Sequence, residues 1–171
     1  MTSVLETSRP DPIWPEAQQI EALLFELNRE TFALNAKVVQ EILDVMPETR
    51  VPGSPSFVNS VINFRGKVIP LADIRIAFGM EPRESSIDSR FIVIEVDVSG
   101  EATLVGVKAD KVHEVTALSR TDSEPTPSVG MRWRQDYIHC LVKRGSEFII
   151  IPNLQAIFAH EERLSGNGIS D

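Results

Sequence analysis

The side chains most often used in metal binding and nucleophilic catalysis are few and scattered in this chain of 171 residues. His113, His139 and His160 lie far apart, and Cys140 is the only cysteine. His139 and Cys140 are adjacent, so in a strand their side chains point to opposite faces, which does not suit two ligands of one zinc ion. We therefore predict no metal site and interpret Cys140 as a buried core residue.

Sequence motifs that carry known catalytic chemistry are also missing. The chain has neither a G-x-S-x-G nucleophile elbow nor a G-x-G-x-x-G fingerprint, and Gly66-Lys67 lacks the following Ser/Thr and the preceding glycine of a phosphate-binding loop. The pair Glu161-Glu162 lies in a charged segment typical of a solvated surface. The sequence thus predicts neither a nucleotide site nor a signature of a hydrolase, transferase or oxidoreductase.

Length, composition and charge restrict the class of protein further. A chain of 171 residues, 42% hydrophobic and 25% charged, suits one globular domain or two small subdomains sharing a core. Its formal charge of -8 disfavours nucleic acid and anionic lipid as partners. A single cysteine fits a reducing compartment, and the apolar runs FIVIEV and FIIIP are too short to span a membrane. Without a basic and then apolar secretory leader at its start, the chain is expected to be cytoplasmic, with no membrane insertion.

The two ends of the chain are predicted to be tails. Three prolines surround Trp14 within residues 1–20, which predicts an irregular, flexible N-terminal tail, and residues 161–171 predict a C-terminal tail. Two interpretations of Trp14 stay open. It is either an exposed residue of the tail or an anchor that docks on this protein or on a partner, because tryptophan is enriched at binding hot spots.

The first half of the remaining chain has the pattern of short strands. LLFELN and ETFALN flank Asn28-Arg29 as a hairpin, and AKVVQEILDV predicts a brief helical turn that leads into a strand. Strands are then predicted at 57–63 and 67–71, on either side of an Arg65-Gly66 turn. LADIRIAF predicts a short helix ended by Gly79.

The second half repeats this pattern without repeating its residues. RFIVIEVDV and EATLVGVKAD flank Ser99-Gly100, KVHEVTAL gives a third strand, and YIHCLVKR, SEFIIIP and a last helix NLQAIFAH follow a polar loop. Each half offers about five strands and a closing helix, the pattern of a small barrel written twice. We predict subdomain 1 at about residues 21–82 and subdomain 2 at about 83–160. The second barrel is expected to consist of FIVIEV, LVGVKA, KVHEV, IHCLVK and FIIIP.

Three stretches together resemble the CheW family of bacterial chemotaxis coupling proteins: VQEILDV, PSFVNSVINFRGKVIPLADIRIAFG and LVGVKADKVHEV. The resemblance runs from about Leu23 to Phe158 and is most specific in the middle stretch. Phe64 and Ser60 depart from the leucine and glycine usual in the family, and 131–136 does not align.

The resemblance implies an all-β fold with a few short helices, built as two packed five-stranded SH3-like β-barrel subdomains, with no catalytic activity and no cofactor. It implies an adaptor that binds the regulatory domain of a CheA-type histidine kinase and the cytoplasmic tip of methyl-accepting chemoreceptors. The receptor-binding residues that it implies are Val39, Glu41, Asn63 and Arg65.

Arg65 at the hairpin tip has two interpretations. Its planar fork of donors suits a carboxylate, for which Glu41 is the obvious partner, and the pair is expected at the mouth of a groove between the barrels. Otherwise Arg65 is a solvated turn residue, and Asn63 merely satisfies local backbone. Asp73 and Arg75 are expected to be structural, with Asp73 capping the short helix.

Two other functions remain open alongside the chemotaxis adaptor. A CheW-like module of a non-chemotactic kinase array has the same sequence features. A β-barrel that binds a small molecule, or an unrecognised enzyme, requires a sizeable apolar pocket with converging polar groups.

Overall fold

The structure is a computed structural model that describes residues 13–14, 18–54, 57–127 and 135–160. The described residues form twelve strands: β1 Gln19–Leu27, β2 Glu30–Asn35, β3 Val39–Asp44, β4 Thr49–Arg50, β5 Ser60–Phe64, β6 Lys67–Ala72, β7 Arg90–Val98, β8 Glu101–Ala109, β9 Lys111–Ser119, β10 Ser123–Glu124, β11 Ile138–Arg144 and β12 Glu147–Pro152. The helices are α1, Ile74–Ala77, and α2, residues 154–160. Single 3-10 turns lie at Ala36–Val38, Arg120–Asp122 and Gln135–Tyr137.

The strands form two curled sheets that match the predicted all-β fold of two SH3-like barrels. Sheet A has the order β10-β11-β12-β2-β1-β9, and sheet B has the order β3-β7-β8-β6-β5-β4. Each sheet consists of five strands of at least five residues and one strand of two residues. The prediction of two packed five-stranded barrels is therefore confirmed.

The predicted composition of the second barrel is wrong. FIVIEV and LVGVKA lie in β7 and β8, which belong to sheet B with β3 to β6. KVHEV, IHCLVK and FIIIP lie in sheet A, where β9 pairs with β1 and β12 pairs with β2. The chain therefore enters sheet A, builds all of sheet B, and returns to sheet A. The predicted division near residues 82 and 83 falls inside sheet B and does not follow the sheets.

The local turns are as predicted. Asn28 and Arg29 have φ of 50° and 71°, and Ser99 and Gly100 have φ of 52° and 87°. Two consecutive positive φ angles are the signature of the two-residue turn whose twist matches that of the flanking strands. These hairpins are therefore fixed by the turn residues themselves.

Three apolar clusters explain how the sheets pack. One cluster fills sheet A and another fills sheet B, while the third joins the two sheets. The first half of β7 is buried on both faces, because Phe91 and Val93 point into the cluster that fills sheet B and Ile92 and Ile94 point into the joint cluster. In that joint cluster residues of β1 and β2 meet residues of β7 and β8. The two barrels thus share a core rather than fold as separate bodies.

Trp14 belongs to the cluster that fills sheet A. Its side chain is 3% exposed and packs with Ile20, Leu24 and Ile149. The interpretation of Trp14 as an anchor on this protein is confirmed, and that of an exposed tail residue is wrong. Strand β1 begins at Gln19, inside the predicted N-terminal tail. Most of that tail, the C-terminal tail 161–171 and the Glu161-Glu162 pair lie outside the described residues.

Two predicted chemical features can be followed in the described part of the chain. Cys140 is buried and the preceding His139 is half-buried, as expected for alternating positions in β11. Among the described residues no three His, Cys, Asp or Glu side chains are grouped as a metal site requires. None of the described helices is long and apolar enough to cross a membrane.

Candidate functional site

The turn between β5 and β6 presents Arg65 at the end of sheet B. Arg65 and Gly66 have φ of 53° and 81°, so the turn needs a residue that tolerates the left-handed region at both positions. The Gly66 N–H donates to Asn63 Oδ1 at 2.9 Å, which fixes the turn from within. The side chain of Asn63 therefore does satisfy local backbone, as one of its two interpretations held.

The predicted pair between Arg65 and Glu41 is confirmed. Arg65 Nη2 donates to Glu41 Oε1, and the guanidinium carbon lies 5.2 Å from the centre of the Phe64 ring. The carboxylate and the ring together restrict where the guanidinium points. The side chain of Arg65 is 74% exposed and that of Glu41 is 34% exposed, so the pair contributes only about 0–1 kcal/mol to stability.

The position of this pair differs from the predicted one. Glu41 lies in the edge strand β3, and Arg65 follows β5 in the same sheet. Strands β7 and β8 separate β3 from β6 in the order of the sheet, so contact between the two side chains requires the sheet to curl. The pair therefore bridges the two sides of one barrel and does not cross a groove between the barrels.

The four predicted site residues form two short segments that meet at this pair. Val39, Glu41 and Leu43 are half-buried along β3, whereas the residues between them are exposed. Pairing with β7 shifts between Val39 and Glu41, which marks a bulge at the point where β3 approaches the Arg65 turn. Val39 packs against the joint cluster, and Asn63 lies within the turn that carries Arg65.

A buried arginine, Arg75, lies in helix α1, which follows strand β6. Arg75 is 3% exposed, and its guanidinium donates to Asp73 Oδ1 at 2.8 Å and to Asp110 Oδ1 at 2.8 Å. Asp73 also caps α1 by accepting from the Arg75 N–H, as predicted. Asp110, between β8 and β9, accepts from the Asn28 N–H at 2.7 Å. The network thus ties α1 to the crossing between the sheets and to the first hairpin.

The charge state of Arg75 follows from these contacts. Burial by itself lowers the pKa of the guanidinium, but the hydrogen bonds and negative charges of Asp73 and Asp110 outweigh it and raise the pKa above its usual value. Arg75 is therefore a permanent cation held by two carboxylates. This role is structural, as the sequence predicted, but the participation of Asp110 and Asn28 was missed, because their distance along the chain hides the contact.

An exposed apolar face lies next to the predicted site and was also missed. Val68 pairs with Asn63 across the β5–β6 hairpin and is 66% exposed. Val61 and Pro70 form the next outward pair and are half-exposed. We call the outward surface of Val61, Val68 and Pro70 the hairpin face. The alternation of the two strands is the sequence signal that could have located it.

The barrels themselves leave little room for a small molecule. Their interiors are filled by their own side chains, such as Ile62 and Phe91 in sheet B and Leu24 and Ile149 in sheet A. A cleft between β7 of sheet B and β2 and β12 of sheet A has a volume of about 120 Å³. Pockets for drug-sized ligands usually measure about 300–1,000 Å³. Two further depressions, near Lys37 and near Glu81, have larger volumes of about 440 and 560 Å³. Both lie on the surface outside the apolar clusters that fill the barrels, and at least half of the residues that border each of them are exposed.

Comparison with known proteins places these features in a family. A family model described as CheW-like domain matches residues 21–162. The chain is 29% identical over 143 residues to the chemotaxis protein CheW of Rhizobium meliloti, with 84% of this chain and 90% of that protein covered. It is 25% identical over 157 residues to the CheW of Treponema pallidum, with 88% and 89% covered.

A solved structure is similar over the same region. The crystal structure of the scaffolding protein TtCheW from Thermoanaerobacter tengcongensis matches with a TM-score of 0.70 and 31% identity, and the match covers 81% of this chain and 92% of that chain. The family model and the solved structure thus both match the part of the chain that forms the two barrels.

Proposed function

Because this chain belongs to the CheW family, we propose that it is a cytoplasmic adaptor that couples chemoreceptors to a CheA-type histidine kinase in chemotaxis signalling. It performs no catalysis and holds no cofactor in this role. Its partners are the cytoplasmic tip of a methyl-accepting chemoreceptor and the regulatory domain of the kinase. The observation that carries the proposal is the exposed Arg65, oriented by Glu41 and Phe64 at the tip of the β5–β6 hairpin.

The receptor surface in this proposal consists of Val39, Glu41, Asn63 and Arg65. Glu41 and Arg65 are in contact, and each is one alternate position away from another member of the set. Arg65 offers several N–H donors, of which Glu41 Oε1 takes one from Nη2. The remaining donors suit carboxylate or amide side chains of a docked helix. Such a contact depends more on the orientation of the guanidinium than on the buried area. The turn that carries Arg65 supplies this orientation.

The kinase surface in this proposal is the hairpin face. Exposed aliphatic side chains on a barrel can be buried against a similar barrel, while the charge of -8 keeps the free chain from associating nonspecifically. Val68 is the most exposed member of this face and stands opposite Asn63. The two proposed surfaces are thus neighbours on one hairpin, which allows kinase and receptor to meet on the same barrel.

Val68→Asp is expected to weaken kinase binding about tenfold, because a carboxylate then has to be desolvated at the contact. Because the side chain of Val68 is 66% exposed, we expect the substitution to leave the fold intact. Binding of the parent protein is expected to depend weakly on salt, and isothermal titration at low and at moderate ionic strength measures both effects. Val115→Asp, the same change at a valine of sheet A that is 50% exposed, serves as the control. A steep salt dependence of the parent would contradict an apolar contact.

A pull-down with the kinase and the receptors of the same organism tests the function as a whole. The bait is the full chain, and the kinase and the receptor tip are offered separately and together. Capture of both partners, and of a ternary complex, is the expected result. Capture of a kinase with no chemoreceptor assigns the chain to a non-chemotactic array, and capture of neither removes the adaptor role.

A further inference from the structure

The start of the described chain lies at the wall of the cleft between the two sheets. Trp14 is 3% exposed and packs in the cluster that fills sheet A, so the chain is fixed at this point. The preceding residue, Ile13, is half-buried, packs against the same cluster and lines the cleft. Residues 1–12 are therefore tethered directly beside the cleft.

The cleft has the size and the lining to receive one aliphatic side chain. Its volume of about 120 Å³ is of the same order as a roughly 150 Å³ aliphatic cavity that accepts benzene. Both barrels contribute to its apolar wall, which consists of Ala33, Leu34, Val38, Val96, Pro152 and Leu154. A leucine side chain suits this volume, whereas a drug-sized ligand exceeds it.

Residues 1–12 contain a suitable side chain at a suitable distance along the chain. Val4 and Leu5 are adjacent aliphatic residues, and Leu5 is the larger of the two. Eight residue steps separate Leu5 from Ile13, and they span up to about 28 Å. This length allows the chain to turn back and return Leu5 to the cleft that Ile13 lines.

Two prolines lower the entropic cost of such a return. Pro10 and Pro12 each fix their own φ, and the residues before them, Arg9 and Asp11, are restricted to extended conformations. A segment with few accessible conformations loses less entropy when it is ordered against a surface.

The charges at the border of the cleft select the same segment. Glu95 and Asp97 line the cleft and are exposed, and Asp97 Oδ1 accepts from the Gly100 N–H at 2.8 Å. Arg9 is the only lysine or arginine among residues 1–12, and it lies four residues before Ile13. Although Glu6 and Asp11 make the segment acidic overall, Arg9 can place its guanidinium beside Glu95.

We propose that residues 1–12 fold back onto the cleft of their own chain, with Leu5 between the sheets and Arg9 beside Glu95. One aliphatic side chain and one exposed ion pair make a weak contact, with an intrinsic dissociation constant on the order of 1 mM. A short tether supplies an effective concentration of about 3 mM, so the docked chain outweighs the open one about threefold. The docking does not depend on the proposed adaptor function.

Methyl NMR of the full chain at about 20 µM tests the docking without any partner. Leu5→Ser is expected to shift the methyl signals of Val38 and Leu154, because it removes the side chain from the cleft. Leu164→Ser, the same change near the other end of the chain, is expected to behave like the parent. Constant cleft signals in Leu5→Ser, or the same shifts in Leu164→Ser, overturn the proposal.

A nitroxide attached through Ser3→Cys distinguishes docking within one chain from contact between two chains. Cys140 is buried, so the label reacts with the introduced thiol. We expect the methyl signals of Val38 and Leu154 to broaden when the nitroxide and the isotopes are on the same chain. Broadening that appears only when nitroxide-labelled and isotope-labelled chains are mixed would assign the cleft to a second copy and overturn the proposal.

An exchange of charges tests the position of Arg9. Arg9→Glu and Glu95→Arg are each expected to lower the ratio of docked to open chain about threefold, and the double variant is expected to restore it. Glu84→Arg, the same change at an exposed position that does not line the cleft, serves as the control. A double variant that is as open as the single variants would contradict the proposed contact.

The docked segment borders the proposed receptor surface, because Val38 lines the cleft and precedes Val39. This effect on the receptor rests on the proposed function: release of the segment in Leu5→Ser is expected to raise the affinity for a receptor tip about fourfold. Equal affinities of parent and Leu5→Ser would show that the segment does not compete with the tip. Binding of the tip by neither protein would count against the proposed function, whereas the methyl shifts decide the docking in either case.

Discussion

Arg75→Ala is expected to lower the free energy of unfolding by about 3–5 kcal/mol, the cost of leaving buried charges without their partner. The guanidinium is 3% exposed and holds the carboxylates of Asp73 and Asp110, which are 9% and 25% exposed. Without it the two carboxylates face each other's charge with less solvent to screen them. The free energy of unfolding of a native protein is about 5–15 kcal/mol, so this loss removes a large part of it.

Denaturant unfolding followed by circular dichroism and by tryptophan fluorescence, to which buried Trp14 contributes, measures this loss. Arg90→Ala is the matched control, because the side chain of Arg90 is 37% exposed and pairs with Asp44 at 3.5 Å, and it should cost at most about 1 kcal/mol. If Arg75→Ala does not fold at all, Asp110→Asn provides a milder variant that keeps the shape of the side chain. A loss below about 1 kcal/mol in Arg75→Ala would show that the network is dispensable.

The sign of the pKa shift fixes how this difference depends on pH. A base whose pKa is raised on folding contributes stability at all pH values below its unfolded pKa and loses it only as the pH rises past the folded one. For Arg75 both values lie at strongly alkaline pH. The difference between parent and Arg75→Ala should therefore stay constant from about pH 7 to about pH 9.

The elements of this fold could be predicted because their signals are local. Asn28-Arg29 and Ser99-Gly100 set their hairpins through backbone preferences of two residues, and Asp73 caps the helix that follows it. Strand partners are a different matter. The continuous apolar run at the start of β7 shows that both of its faces are buried there, but it does not say against which strands β7 pairs. The pairing of β1 with β9 and of β2 with β12 joins residues about 85 to 118 positions apart, so the sequence offered no local signal for it.

The candidate site was predictable to a similar degree. Glu41 and Arg65 were expected to pair because a tip arginine needs a carboxylate and the family resemblance offered one, and the contact exists. Its placement within one barrel depends on how far sheet B curls, which no short stretch encodes. Alternation along β6 could have marked Val68 as exposed, whereas Ile87 has the residue type of a core and lies outside the strands, so only the structure reveals its exposure.

Arg65→Ala is expected to lose receptor binding by about 2 kcal/mol or more, roughly thirtyfold in affinity, while the protein melts like its parent. The ion pair with Glu41 is too exposed to stabilise the fold by more than about 1 kcal/mol. The same guanidinium becomes costly to remove only when a docked helix excludes water from it. Kinase affinity should not change, because the proposed kinase surface is apolar. Calorimetric melting and titrations with a receptor tip and with the kinase regulatory domain measure the three quantities.

Variants of Arg65 and Glu41 distinguish whether receptor binding requires an oriented guanidinium or only a positive charge. If Glu41 and Phe64 act by holding the guanidinium, Arg65→Lys should recover little receptor affinity, since an ammonium lacks the planar fork. The losses in Glu41→Ala and Arg65→Ala should then not add in the double variant, because the first substitution acts through the second residue. Additive losses would mean that Glu41 and Arg65 contact the receptor independently. Parental receptor affinity in Arg65→Ala, or unfolding of that variant, would remove Arg65 from the site, because a residue that binds the receptor must matter for the complex and not for the fold.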